Sequence, residues 1–323
     1  MASSRICSTP PRSSAERVEI GIVGAGGIGS YYAGLLSRAG QQVRLIARGD
    51  HLAAIEAKGL EVRTPTETFI AKPEVTSDAG RLVGCDYVIV AVKGYSLGEI
   101  GPSLVAAAAG GAAIVPLLNG IDVPERLEAL GVPRASIVGG LIAASLVRSA
   151  PGVVERRSPF DRAALGELDR TARPRTKKLV DAIAAAGTEA RVSDDILLDL
   201  WRKFAFIVPM TVVCGLSRQP MGQVLAGERG RALVTGALHE IVLVSRACGA
   251  FLADDDEAKV CADLLALPAG MRPSFLQDLE RGGPTELDLL AGAVSRLGHE
   301  SSVATPIHDV ATAAFESATR QQS

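Results

Sequence analysis

The chain has 323 residues, enough for about two domains of ordinary size that each bury a core. Its 34 basic and 36 acidic residues are spread along the sequence and leave a net charge of −2, which excludes a field directed at nucleic acid or an anionic membrane. Five widely spaced cysteines, Cys7, Cys85, Cys214, Cys248 and Cys261, with no histidine pair nearby, argue for a reducing, cytoplasmic setting and against zinc or another metal.

Residues 1–16 are rich in Ser, Arg and Pro and lack an apolar segment, so they are no secretory signal and read as a disordered extension, with a transit peptide as the alternative. From residue 18 an apolar run breaks into glycines at Gly24, Gly26 and Gly29, ahead of an amphipathic stretch over 31–39. A strand turns sharply at the first glycine, backbone approaches a ligand at the second, and a helix packs closely at the third. The first N–H groups of that helix then face phosphate, with the positive end of its dipole behind them. Gly24, Ala25, Gly26, Gly27, Ile28 and Gly29 are therefore predicted to cradle a dinucleotide pyrophosphate.

Residues 42–47 form the second predicted strand, followed by a helix over 50–58 capped by Asp50 and closed by Gly59. An acid at the end of that strand would hold the ribose 2′-hydroxyl of NAD. The residue there is Arg48, whose planar fork suits a 2′-phosphate, so the predicted cofactor is NADPH/NADP+; the alternative is a solvated surface arginine. Short surface strands are expected over 60–75 and a doubly buried parallel strand over 85–92. A helix from Ser96 and a strand over 112–118 follow, ending at Asn119-Gly120. The apolar stretch at 104–118 falls short of the roughly 20 residues of a membrane span. This alternation means a parallel sheet with helices on both faces. Residues 136–147 and 152–157 then read as a hairpin, 163–168 as a strand and 175–186 as a helix closed by Gly187. After Val192 the pattern is helical throughout, at 195–214, 220–225, 230–248, 254–265, 273–281, 285–297 and 305–319. The expected organisation is a dinucleotide domain over 17–192 and a helical domain over 193–323 that binds substrate and would suit a homodimer.

In open sheets of this kind ligands sit outside the carboxyl ends of the strands. Lys93 and Asn119 fall there. Lys93 would neutralise phosphate or substrate charge, or else simply face solvent; Asn119 would hydrogen-bond the nicotinamide ribose or the reacting oxygen, or else make an Asn-Gly turn. In the helical half, Lys203 sits within Trp201-Arg202-Lys203-Phe204-Ala205-Phe206, an otherwise apolar stretch. A partly desolvated ammonium there would have a lowered pKa suited to protonating a carbonyl oxygen, whereas the bland reading has it snorkel to water. Ser274 and Glu286 flank a Gly-Gly-Pro turn; the hydroxyl would hold a carboxylate or cap a helix, and the acid would orient a substrate hydroxyl or the lysine.

These pieces, in this order, resemble the ketopantoate reductase (2-dehydropantoate 2-reductase) family. The matching features are GAGGIG, Arg48, AVKGY, PLLNG, PGVVE, ALGEL, LWRKF and SFLQDLERGGPTELD, from about residue 18 to 315. The resemblance implies a Rossmann-type doubly wound parallel sheet with an all-helical C-terminal domain, and NADPH-dependent reduction of an α-keto acid in the cleft between them. It also implies Lys203 as general acid, Asn119 assisting, Glu286 on a substrate hydroxyl and Ser274 on the carboxylate. Asparagines usual in the family four and eight residues after the lysine, and five after the glutamate, are replaced here by Ile207, Thr211 and Ala291. Ile207 and Thr211 thus line a substrate pocket stripped of amides, which points from ketopantoate toward a more apolar α-keto acid or related ketone. An NADP(H)-binding sensor without turnover and an imine- or opine-type dehydrogenase are the alternatives.

Overall fold

The computed structural model describes residues 17–250 and 252–320, so the extension expected over 1–16 lies outside the described residues. The chain begins with β1 (Glu19–Val23), α1 (Gly27–Arg38), β2 (Gln42–Ile46), α2 (Gly49–Lys58), β3 (Leu60–Arg63), β4 (Thr68–Ala71) and β5 (Glu74–Thr76). It continues with β6 (Tyr87–Val90), α3 (Leu97–Ala109), β7 (Ala113–Pro116) and α4 (Val123–Ala129). A parallel five-stranded sheet in the order β5-β2-β1-β6-β7 forms the centre. Ile22, Ile89 and Val115 have no exposed surface, because helices cover both faces and leave no side of a central strand for water. The strand order reverses beside β1, so the crevice at its carboxyl end is where such sheets take ligands.

Four more strands, β8 (Val138–Ala143), β9 (Leu146–Ala150), β10 (Val153–Arg156) and β11 (Arg162–Glu167), precede α5 (Pro174–Ala185) and β12 (Glu189–Val192). The predicted hairpin is only half right. β9 and β10 make the antiparallel turn and join β3 and β4 in a second sheet, whereas β8 pairs with β11 in a third, β12-β11-β8. Pro151-Gly152 fixes the local turn, but β8 is held beside β7 through a parallel bridge between Ile114 and Ile137, a long-range choice that local pattern does not encode. Similarly, β5 is a surface strand that also forms the edge of the main sheet, while α4 and β12 are short elements that the sequence reading did not separate.

Beyond β12 the chain is helical: α6 (Ile196–Ser217), α7 (Met221–Leu225), α8 (Glu228–Ala247), α9 (Asp254–Leu265), α10 (Ser274–Arg281), α11 (Ala291–Glu300) and α12 (Pro306–Arg320). Asp195 caps α6 by accepting from the Leu198 N–H at 3.1 Å, and Phe204, Val208 and Val212 of α6 pack with Leu238 and Ile241 of α8 in a second core. The single helix expected over 285–297 is broken at Leu290 (φ −112°, ψ −101°). Leu289 packs into the core of the sheet domain and Leu290 into the helical core, so two successive side chains point into opposite lobes and the backbone cannot stay helical. Among the described residues no helix is long and apolar enough to cross a membrane.

A buried histidine fastens the sheet domain beneath the crevice. His51 Nδ1 accepts from the Gly152 N–H at 2.9 Å, which leaves the proton on Nε2, 3.0 Å from Ser30 Oγ. Burial, with Arg148 adding repulsion, lowers its pKa to about 4. Its folded pKa therefore lies below the unfolded value of about 6.5, and the stability this site contributes is complete above that value and lost as pH falls toward 4. Thermal unfolding between pH 7 and 4 should show a steeper loss in the wild type than in His51→Gln, by at most about 3 kcal/mol; parallel slopes would contradict it.

Candidate active site

The glycine turn separates packing from access. Gly24 has φ 104°, and a Cβ there would stand 2.5 Å from the Val92 backbone nitrogen; one on Gly29 would stand 1.9 Å from the Gly24 carbonyl oxygen. Gly27 is closed in the same way by the Leu146 carbonyl oxygen at 2.4 Å. Gly26, the N-cap of α1, meets nothing within 4 Å, and no side chain caps the helix. Its missing Cβ leaves a cradle open at a helix N-terminus with no acid in the first turn, which fits a pyrophosphate. Ala25 and Ile28 are partly buried and pack their side chains against the core beside the turn.

Arg48 ends the second strand as expected, but it, not Asp50, occupies the N-cap of α2; Asp50 lies in the first turn and makes no capping bond. The guanidinium is exposed and pairs with Glu99 of α3 at 2.6 Å.

Lys93 stays partly open to solvent but is not free in it. It follows β6 directly and reaches the helical lobe, 2.9 Å from Glu286 Oε2 and 3.0 Å from Asp278 Oδ2. Burial works to lower its pKa, yet the two carboxylates overcome this and hold it above the ordinary lysine value. Glu286 is buried and also accepts from the Gly94 N–H at 3.4 Å. Glu286 also acts electrostatically on Lys203 of α6. Among the described residues its ammonium has no hydrogen bond or ion pair; burial lowers its pKa to about 8, against the opposing pull of Glu286. The flanking Arg202 diverges to Asp256 and Asp199, so the α6 cations are sorted onto two faces. Lys203, Glu286, Lys93 and Asp278 thus make a row of alternating charge across the two lobes, with one end uncommitted.

Asn119 follows β7 at the same edge, partly buried, and among the described residues its amide has no hydrogen-bond partner. One and two turns further along α6 from Lys203 come Ile207 and Thr211, the latter donating its hydroxyl to the Ile207 carbonyl at 2.8 Å. That hydroxyl is spent within its own helix and offers little to a ligand. Ser274 is exposed at the start of α10 and does not cap it, since Pro273 holds that position. Asp278, four residues later, is the acid the sequence reading missed. The spacing in SFLQD, one helical turn after Ser274, was the available signal.

The lobes are locked beside these groups. Leu289 fills space that side chains at Gly94 and Gly120 would need, at 2.1 Å and 3.3 Å from their hypothetical Cβ atoms. Arg126 binds Asp122 at 2.8 Å and Asp288 at 2.5 Å, and Arg296 closes the ring by pairing with the same two acids.

Two family models match the chain: "Ketopantoate reductase PanE/ApbA" over residues 20–170 and "Ketopantoate reductase PanE/ApbA C terminal" over 195–318. A 2-dehydropantoate 2-reductase of Mesorhizobium japonicum is 29% identical over 318 residues, covering 92% of this chain and 96% of the relative. The crystal structure of a PanE/ApbA family ketopantoate reductase from Ralstonia eutropha JMP134 superposes with a TM-score of 0.85 at 27% identity, over 94% of this chain and 99% of that one. D-mandelate dehydrogenase, solved with NADH and anilino(oxo)acetate, superposes with a TM-score of 0.82 at 25% identity over the same 94% and 99%.

The contrast within the glycine turn is directly testable. Gly29→Ala should destabilise the protein by about 1–3 kcal/mol or more. Gly26→Ala should leave the melting temperature nearly unchanged while weakening binding of a nicotinamide dinucleotide about tenfold, as read by thermal unfolding and calorimetric titration; equal effects on both readouts would refute the division of roles.

Proposed function

Since the chain belongs to the ketopantoate reductase family and is an oxidoreductase of that type, we propose that it reduces an α-keto acid to the α-hydroxy acid with NADPH, using Lys203 as general acid. The observation that carries this reading is the ammonium of Lys203, which is partly buried, makes no hydrogen bond or ion pair among the described residues, and feels the charge of the buried Glu286 carboxylate. An ammonium with a pKa near 8 is protonated at neutral pH and gives up its proton readily, which is what a developing alkoxide requires. The bound nicotinamide supplies the hydride. Lys203 donates its proton to the substrate carbonyl oxygen, Asn119 holds that oxygen or the adjoining ribose, and Glu286 orients both Lys203 and a polar group of the substrate. Ser274 receives the substrate carboxylate. Residues 24–29 hold the pyrophosphate, Arg48 the 2′-phosphate, and Lys93, bound to Glu286, adds positive charge to the cofactor side. The division into a dinucleotide domain over 17–192 and a helical substrate domain over 193–323 belongs to the same proposal.

The wall beside Lys203 supports an apolar substrate. Ile207 has no polar group, the Thr211 hydroxyl is committed to backbone, and Ala291 is buried without one. A substrate hydroxyl directed there would be desolvated without a partner, a loss of roughly 1–3 kcal/mol. The likeness to an enzyme solved with an aromatic oxo-acid analogue is consistent with this reading.

Following NADPH absorbance with a panel of α-keto acids tests the activity, and kcat/KM for an aryl or branched keto acid should exceed that for ketopantoate by about tenfold or more. Turnover with none of them, or only when an amine is added, would overturn it. Lys203→Ala should lower kcat by about 10²–10⁴ while NADPH affinity holds. In the wild type the reduction rate should be level below pH 8 and fall above it, as Lys203 loses its proton.

A further inference from the structure

The ion pair between Arg48 and Glu99 reaches across the groove where the dinucleotide would lie. Arg48 ends the strand region of β2, Glu99 lies in the first turn of α3 after β6, and β1 runs between those two strands. Their 2.6 Å contact therefore spans the carboxyl end of β1, at the level of the glycine turn. Both side chains are well exposed, at 64% and 57%, so the pair opens at little cost.

We propose that Glu99 is a specificity-determining residue for the cofactor: it holds the Arg48 guanidinium in the free protein and competes with the 2′-phosphate of NADP(H) for it. This rests on the reading of Arg48 as the phosphate clamp. A guanidinium presents one planar fork, so a carboxylate seated on it must leave before a phosphate takes the same face. Once displaced, Glu99 remains anchored on α3 close to a group of charge near −2, and the like charges repel. NADH carries no such group, and its ribose hydroxyls can donate to a carboxylate at this position. Glu99 thus narrows the preference for NADPH over NADH that Arg48 alone would give. The Asp50 carboxylate, two residues from Arg48 and exposed, adds to the same negative surroundings.

The test is calorimetric measurement of the dissociation constants of NADPH and NADH for the wild type, Glu99→Gln, Arg48→Ala and the double variant, at low and moderate salt. Glu99→Gln should tighten NADPH by about three- to tenfold and leave NADH within about twofold or weaker, with the gain shrinking as salt rises. In the Arg48→Ala background the same change should do much less. If Glu99→Gln leaves the ratio of the two affinities unchanged while Arg48→Ala weakens NADPH alone, the clamp stands and the competition is refuted. If Arg48→Ala weakens NADPH and NADH equally, the clamp itself fails and the role of Glu99 with it.

Discussion

A carboxylate buried between two lysines from different lobes organises this molecule. Burying Glu286 alone would carry a desolvation penalty of several kcal/mol. Lys93, delivered by the end of a sheet strand, meets that cost with a direct contact, and Asp278 keeps Lys93 in place. The same negative charge makes it tolerable to hold Lys203 in a poorly hydrated position. Neither lobe alone contains a balanced set of these charges: the sheet supplies one cation, the helices the other cation and both acids.

The fold explains why the groups converge. Strands β6 and β7 pair in parallel and end at the same edge, which brings Lys93 and Asn119 to one rim of the sheet. Helix α6 is long enough, from Ile196 to Ser217, to be anchored in the helical core at one end while its second turn reaches the crevice. The short segment after Glu286 divides its leucines between two cores, and this fixes the acid's height above the sheet. Chemistry is thus held by packing on both sides rather than by a loop acting alone.

Much of this could be read from the sequence because the signals are local. The glycine turn needs missing side chains at fixed spacing, the central strands need unbroken apolar runs, and Lys203 interrupts an apolar helix where a cation is costly. What escaped notice is settled over long distances. The partners of Lys93 lie 185 and 193 residues away in the chain. The pairing of β8 with β11, the break at Leu290 and the grip of Glu99 on Arg48 also depend on what tertiary packing brings near, and no residue in those stretches departs from an ordinary pattern. The residue type of Asp50 suits a cap, but the helix begins at Gly49 and places it in the first turn.

Leu289 acts as a peg in a socket made by two absent side chains, at Gly94 and Gly120. The peg belongs to one lobe and the socket to the other, and each socket residue adjoins a polar group of the crevice, Lys93 or Asn119. Ile207 is no part of this joint, so its side chain can vary without filling the socket. The halves of two relatives, by contrast, can be recombined into a working chimera only when peg and socket travel together.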